Sequence, residues 1–476
     1  MNAPTQSTLS LSLRLEFDRA VQARGGEGFA RLTISVPRPA DSLAPRRGLA
    51  LTISLDCSGS MSEPAGAPDG SPMAFGSAPV FFGRGVADEA NSKMARSKAA
   101  VWEAVALLGD DDMASLTAFS SMAQTLFPMS PMTAANKALF KEALEKVQAS
   151  GGTALHDGWT SAAREAAKGV DRGLLCRVAL LTDGEASTGE RNPEALAKQS
   201  AQLALHGVST SCFGVGARFN EDLLCAMADA GEGNFRYIPD AMLATAAAVD
   251  EVNGLGATAG RKARLRLISE DGAEAAEALN GFDIDTVNGL MRIPTLLAGR
   301  PIEVIAKVKM ADAGSLATLR AEIEWENRDG ILQSSAASLS VALGSEEESK
   351  ASPQDVEVAG AAAAMLAAKE KLAMAASMAA GDMAAATTNM ANARSLMASV
   401  ARYSGAAAEM ASLEALEANF AGGDSMATQK AAKFQSYSRA KNQTVAIQPT
   451  AAAAETTVAT VAATAPAEAP VNAPKP

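Results

Sequence analysis

The stretch LTISLDCSGSMSEP, residues 51–64, decides the fold. A short run rich in strand-forming apolar residues ends abruptly in Asp56, Ser58 and Ser60, with Gly59 between the two serines. Apolar strands of this kind belong in the middle of a sheet covered on both faces, so the polar residues that close the run fall at the strand's carboxyl end. After it come Gly-, Pro- and Ala-rich residues up to the next helical pattern, a segment 62–92 reading SEPAGAPDGSPMAFGSAPVFFGRGVADEAN through Asn91.

Outward from that strand, residues 46–245 alternate short apolar strands with amphipathic helices. GLALTISLD, DMASLTAFS, CRVALLTDG and VSTSCFGVG read as strands; SKMARSKAAVWEAVALL, NKALFKEALEKV and NPEALAKQSAQLALHG read as helices. That alternation predicts an α/β, doubly wound, mostly parallel sheet with helices on both faces. On either side of it the pattern returns to a period of two. Residues 1–45 hold two strands, LSLRLEF and ARLTISV, around the turn RGGEG. Residues 246–350 hold KARLRLIS, GLMRIPTLL, RPIEVIAKVKM, ATLRAEIEWEN and ASLSVAL. This spacing predicts an antiparallel, sandwich-like β domain completed by the two early strands, with the α/β domain inserted in it. Residues 351–440, rich in Ala and Met and broken by AAGDM and YSGAA, predict an α-helical hairpin and a third helix. Met365, Leu366, Leu372, Met374 and Met378 read as its packing face. The Ala/Pro/Thr-rich tail 441–476 has the composition of a disordered segment.

The 476-residue chain is long enough for two or three domains, and its formal net charge of -12 excludes nucleic acid as the main partner, because no basic stripe exists to displace counterions from phosphate. No run approaches the roughly 18 apolar residues of a membrane span, and the first residues lack the apolar core of a secretory signal. Four cysteines without a CxxC pair, and two histidines, argue against structural zinc and for a reduced, cytoplasmic setting.

In a doubly wound sheet, ligands bind beyond the carboxyl ends of the strands, where strand order reverses. Three polar clusters fall there: Asp56, Ser58 and Ser60; GGT with Thr153; and TDG with Asp183. Two carboxylates and three hydroxyls are hard oxygen donors, suited to Mg²⁺, Ca²⁺ or Mn²⁺ rather than zinc. In Asp-x-Ser-x-Ser, alternate residues can turn toward one point while Gly59 lets the backbone bend. Mg²⁺ commonly keeps exchangeable positions, and one of them could take a partner's carboxylate even though the chain is acidic, because a bound cation dominates the local field.

DCSGSMS, GGTALHDG and LLTDGEAS, in that order, resemble the metal-ion-dependent adhesion site of the von Willebrand factor type A domain. The resemblance implies a Rossmann-like fold over about residues 48–245 and a divalent cation held by Asp56, Ser58, Ser60, Thr153 and Asp183. Over most of the chain a looser similarity holds to multidomain bacterial type A proteins related to the calcium-activated chloride channel and inter-α-trypsin inhibitor heavy-chain group, with a final KFQSYSR. What that kinship implies is metal-dependent binding of a protein partner that supplies a Glu or Asp, without catalysis. It also implies, as an alternative, an adaptor role beside a MoxR-type AAA+ ATPase; the chain itself has no GxxxxGK[ST] loop.

A hydrolase reading would use Ser58 as nucleophile, His156 as base and Asp183 as orienter. DCSGSM lacks the first glycine of a nucleophile elbow, and a metal-bound serine is poorly placed to acylate. Asp157 reads as a helix cap, Cys57 as a packing residue, Lys98 and Glu103 as solvated helix positions, and Trp102, Trp159 and Trp325 as core or rim. The segment 62–92 departs from the family pattern, in which the first helix follows the motif closely, and reads as a surface loop or as a recognition element beside the cation.

Overall fold

The computed structural model describes residues 11–37, 47–65, 91–216, 218–285, 288–423 and 425–442. Most of the expected insert and nearly all of the expected disordered tail lie outside them. Three strands open the chain, β1 (Ser12–Phe17), β2 (Val21–Ala23) and β3 (Glu27–Ser35). An alternating α/β segment follows: β4 (Leu49–Asp56), α1 (Lys93–Ala106), β5 (Met113–Phe119), β6 (Ala123–Pro131), α2 (Ala134–Glu145), α3 (Leu155–Ala167), β7 (Leu175–Thr182), α4 (Pro193–Leu205), β8 (Val208–Val215), α5 (Glu221–Ala230), β9 (Phe235–Ile238) and α6 (Ala244–Gly256). Then come β10 (Thr258–Asp271), β11 (Ala273–Ala278), β12 (Met291–Arg292), β13 (Leu296–Leu297), β14 (Ile302–Met310), β15 (Leu316–Asn327) and β16 (Leu332–Gly344). The helices α7 (Glu346–Ala351), α8 (Val356–Ala379), α9 (Met383–Ala398), α10 (Ala406–Ala421) and α11 (Ser425–Ala440) close the described chain.

The α/β segment forms one sheet in the order β6-β5-β4-β7-β8-β9, parallel except for β6, which runs antiparallel to β5. Its alternation builds two cores. Leu49, Leu51, Ile53 and Leu55 of β4 point to one face and pack with α1, α2 and α6, while Ala50 joins the core beneath α3, α4 and α5 on the other. Each of those four large side chains is at most 2% exposed and contributes about 1.5–3 kcal/mol by leaving water. Polar Thr52, Ser54 and Asp56 take the second face, where Thr52 accepts a hydrogen bond from Ser115 of β5 at 2.8 Å. From β4 the chain first adds β5 on one side and later β7 on the other. The strand order therefore reverses at the carboxyl end of β4.

The remaining strands make a sandwich of two sheets, β1-β3-β14-β11 and β12-β10-β15-β16-β2, with β13 paired to β10. Leu32, Ile34 and Val304 of one sheet meet Leu265 and Ile323 of the other in its core. β1, β2 and β3 thus belong to the sandwich, and the α/β unit is inserted between β3 and β10, as the change of period predicts. GLMRIPTLL contributes only the two-residue strands β12 and β13.

Helices α8, α9 and α10 enclose a core of Met374, Met378, Met390, Met397 and Leu413. Leu372 is 49% exposed, outside the packing face expected for it, because it sits on the side of α8 turned from α9. A fourth helix, α11, carries KFQSYSR and binds the α/β unit. Phe434 and Tyr437 stand edge-on to Phe235 with ring centroids 6.1 and 5.6 Å away, and Tyr437 donates to Asp229 at 2.7 Å.

Candidate metal centre

The switch point at the end of β4 gathers the expected ligands. Beyond Asp56 the chain turns through Ser58 into a single 3₁₀ turn, Gly59–Ser62. The bend does not depend on a left-handed glycine: Gly59 instead lies against the next loop, donating its N–H to the Gly151 carbonyl at 3.0 Å. Loop 150–154 is held on several sides. Ser150 N donates to Cys57 O at 2.7 Å, Gly152 N to Ser121 Oγ at 3.0 Å, and Thr153 N to Ser187 Oγ at 2.8 Å. Thr153 thereby reaches the same crevice as the end of β7, where Asp183 follows Thr182.

Asp56 and Asp183 are fully buried, Ser58 and Thr153 nearly so, and Ser60 is half-buried. Four of the five are joined by hydrogen bonds. Asp56 accepts from the Ser58 N–H at 2.8 Å; the Ser58 and Ser60 hydroxyls lie 3.1 Å apart; and the Ser60 hydroxyl donates to Asp183 Oδ1 at 2.6 Å. Thr153 enters through Gly184. A Cβ built on that glycine would stand 3.6 Å from Ser60 Oγ and 3.8 Å from Thr153 Oγ1, so both hydroxyls face the space that Gly184 leaves clear.

Two buried carboxylates this close are costly unless a cation or donors compensate them. On the protein's own groups alone, burial pushes the Asp56 carboxyl up to about 6; donors from Thr182 and Ser58 oppose the rise, and the charge of Asp183 adds to it. A bound divalent ion would invert that balance. The donor set, hydroxyls and carboxylates with no thiolate or imidazole, fits a hard divalent cation. Among the described residues no group of three His, Cys, Asp or Glu could hold a metal, which leaves the hydroxyls essential to any site here.

Three residues not anticipated from the sequence complete the centre. Thr182 donates to Asp56 Oδ2 at 2.5 Å. Ser187 holds the Thr153 backbone, accepting from its N–H and donating to its carbonyl at 3.3 Å. Lys93, at the start of α1 and 4% exposed, donates to Asp183 Oδ2 at 3.2 Å and to Glu63 Oε2 at 3.0 Å. Glu63 also pairs with Arg218. A lysine opening an amphipathic helix gives no sequence signal of burial, because its long side chain usually reaches solvent.

The residues weighed for other roles fall elsewhere. His156 sets Nε2 against Gln199 Oε1 at 3.0 Å and Nδ1 3.8 Å from Asp157, so neither ring nitrogen engages Ser58. Asp157 lies in the first turn of α3 and does not cap it; the N-cap is Ala154, which makes no side-chain cap. Cys57 packs against the first core and donates to Phe119 O at 3.2 Å, with burial raising its thiol pKa. Lys98 donates to Glu145 O, and Glu103 is exposed. Trp159 is fully buried, Trp325 nearly so, and Trp102 sits at the rim beneath the Lys141 ammonium.

Comparison with known proteins agrees with this architecture. The sequence profile of the von Willebrand factor type A domain matches residues 88–249. That span includes Thr153 and Asp183 but begins after Asp56, Ser58 and Ser60, which join the set through their place at the end of β4. The chain is 32% identical over 108 residues to the uncharacterized protein YfbK of Escherichia coli (strain K12), covering 22% of this chain and 19% of that one. It is 29% identical over 230 residues to the uncharacterized protein sll0103 of Synechocystis, covering 48% of this chain and 47% of the other. The match thus spans less than half the length of either relative. Two solved structures share the fold across most of the chain: a von Willebrand factor type A protein from Catenulispora acidiphila, with TM-score 0.61, 18% identity, and 84% and 89% of the two chains covered, and the ArnB paralog VWA2 from Sulfolobus acidocaldarius, with TM-score 0.53, 14% identity, and 90% and 99% covered.

Proposed function

This chain contains a von Willebrand factor type A domain, and from that premise we propose that it is a divalent-cation-dependent binding module for a protein partner bearing an exposed Glu or Asp. The observation that carries the reading is the convergence of buried Asp56 and Asp183 with the Ser58, Ser60 and Thr153 hydroxyls at the strand switch point. Those five residues would hold the ion, with Mg²⁺ the first choice and Ca²⁺ or Mn²⁺ the alternatives. When bound, the ion supplies a coordination position that a carboxylate oxygen can take. The residues around it give the site its rigidity: Thr182 fixes the inner oxygen of Asp56, and Ser187 fixes the Thr153 loop.

Binding is favoured over hydrolysis because the candidate nucleophile Ser58 meets Ser60, while the His156 ring nitrogens are turned to Gln199 and Asp157. A cytoplasmic setting is supported by four cysteines that are all free. Among the described residues, no helix is long and apolar enough to cross a membrane.

The test is affinity capture from the source cell by the wild-type chain and by Asp56→Ala/Ser58→Ala, each with and without chelator. The reading expects a set of captured proteins that both the substitutions and the chelator remove, and that an excess of Mg²⁺ restores to the wild type alone. Capture unaffected by either treatment would overturn it. An AAA+ ATPase within the metal-dependent set would favour the adaptor role.

A further inference from the structure

β16 is the outermost strand of its sheet over most of its length. It pairs with β15 without a break from Leu332 to Ala342, whereas β2 covers its other side only at Ala342, Leu343 and Gly344. Among the described residues, nothing pairs with that side from Leu332 to Val341. Leu343 donates its N–H to the Ser315 carbonyl at 2.9 Å, and the Ile331 carbonyl accepts from the Asn327 N–H at 3.0 Å. Bonding direction alternates along a regular antiparallel ladder, so Leu332, Ser334, Ala336, Ser338 and Ser340 aim their N–H and C=O groups away from β15. Their side chains are exposed, while Leu339 and Val341 between and beyond them pack on the sandwich core.

An edge of this kind is a template for another strand, and folded chains ordinarily guard it with charge, proline, a bulge or a covering element. Other edges of this molecule are guarded. β1 carries Arg14 and Glu16, and β11 carries Glu274 and Glu277. β6 contains Pro128, Pro131 and register shifts, and β9 has the Phe434 and Tyr437 rings of α11 against it. Leu332–Val341 reads LQSSAASLSV, with no charge, no proline and no bulge. We propose that this edge pairs with the same edge of a second copy of the chain, antiparallel about a twofold axis near Ala336, so that two sheets become one. The occupant follows from the stretch itself. Twofold antiparallel pairing sets each residue against another of the same stretch, so any cluster of like charge would meet itself. In a chain that is 20% charged, this edge has none, and its small serines and alanines meet nothing that they repel. A foreign strand would impose no such restriction, since its own charges could complement those of the edge. Leu332, 66% exposed at one end of the stretch, would come against the serines at the other end and lose part of that exposure. The inference stands independently of the metal reading.

The experiment is sedimentation velocity of the full chain from about 1 to 100 μM, the range that suits a small interface, on wild type, Ala336→Lys, Ala336→Glu and the equimolar mixture of the two variants. Ala336 is exposed on the outer face, so neither charge burdens the single chain. Wild type should dimerise as concentration rises, each variant alone should associate several-fold more weakly, and the mixture should recover the dimer, because opposite charges then face each other. A wild type that stays monomeric throughout, a dimer that neither variant weakens, or a mixture no more associated than its components would each overturn the proposal. Hydrogen exchange on wild type gives a second reading that needs no variant. Between the lowest and highest concentrations the amides of Ser334, Ala336 and Ser338 should slow about tenfold, while those of Ser335, Ala337 and Leu339, already bonded to β15, should change little. Outward amides that exchange fast at both concentrations would overturn the pairing of copies. So would outward amides that exchange slowly at both, because a segment of the same chain or another molecule would then hold the edge.

Discussion

Thr182 ends β7, and its hydroxyl is the donor to the inner oxygen of a fully buried carboxylate, 2.5 Å from Asp56 Oδ2. Replacing it by valine keeps the shape and removes that donor. Leaving a buried acceptor unsatisfied costs about 1–3 kcal/mol, so Thr182→Val should lose that much stability in urea denaturation with chelator present. A loss within about 0.5 kcal/mol, the range of an ordinary surface change, would show that Asp56 is held by other means. At this scale the clustering of the five candidate residues was legible in the sequence because Asp-x-Ser-x-Ser, Thr153 and Asp183 each follow a strand or loop whose pattern can be read. Lys93, Thr182 and Ser187 were not, because their roles depend on neighbours brought together from residues 63, 56 and 153. Asp157 shows the converse: a residue type that caps helices stands one turn too late to cap this one.

At the scale of elements, α11 is the joint that KFQSYSR encodes. Its Lys430 donates to the Phe219 carbonyl at 2.6 Å, and Lys430 and Lys433 both pair with Glu221 at the start of α5. Burial alone would raise the Glu221 carboxyl; the hydrogen bonds and charges of the two lysines overcome it and hold the group below its ordinary 4.5. A depressed acid stabilises the docked form fully above its unfolded value, and that contribution is lost as pH falls through the folded one. Hydrogen exchange in α11, corrected for the intrinsic rate, should therefore rise as pH drops below about 4.5, and Glu221→Gln should flatten the response. Exchange that rises equally in the variant would place the pH sensitivity elsewhere. The elements missed in the sequence have physical reasons. β11 reads AEAAEA, a helix-like composition held in the sheet by pairing with β14, and α6 follows β9 in a run of Ala and Gly with no strong periodicity. Tertiary pairing overrides local propensity in the first case.

Across the whole molecule, the change of hydrophobic period from two, to mixed strand and helix, and back to two made the insertion of the α/β unit in the sandwich legible. How α11 closes the assembly was not legible, because its contacts reach residues about 210 positions earlier: Lys430 to Phe219, and Tyr437 to Asp229. One result of the topology is that the candidate centre lies at one end of a sheet covered on both faces, so an ion that bound there would meet side chains already brought together. The most direct measurement is anomalous diffraction from crystals of the full chain grown with Mn²⁺. The account predicts a single strong manganese peak at the carboxyl ends of β4 and β7, contacted by the Ser58 and Ser60 hydroxyls and lost in Asp56→Ala. A peak at any other place, or none at saturating Mn²⁺, would contradict it.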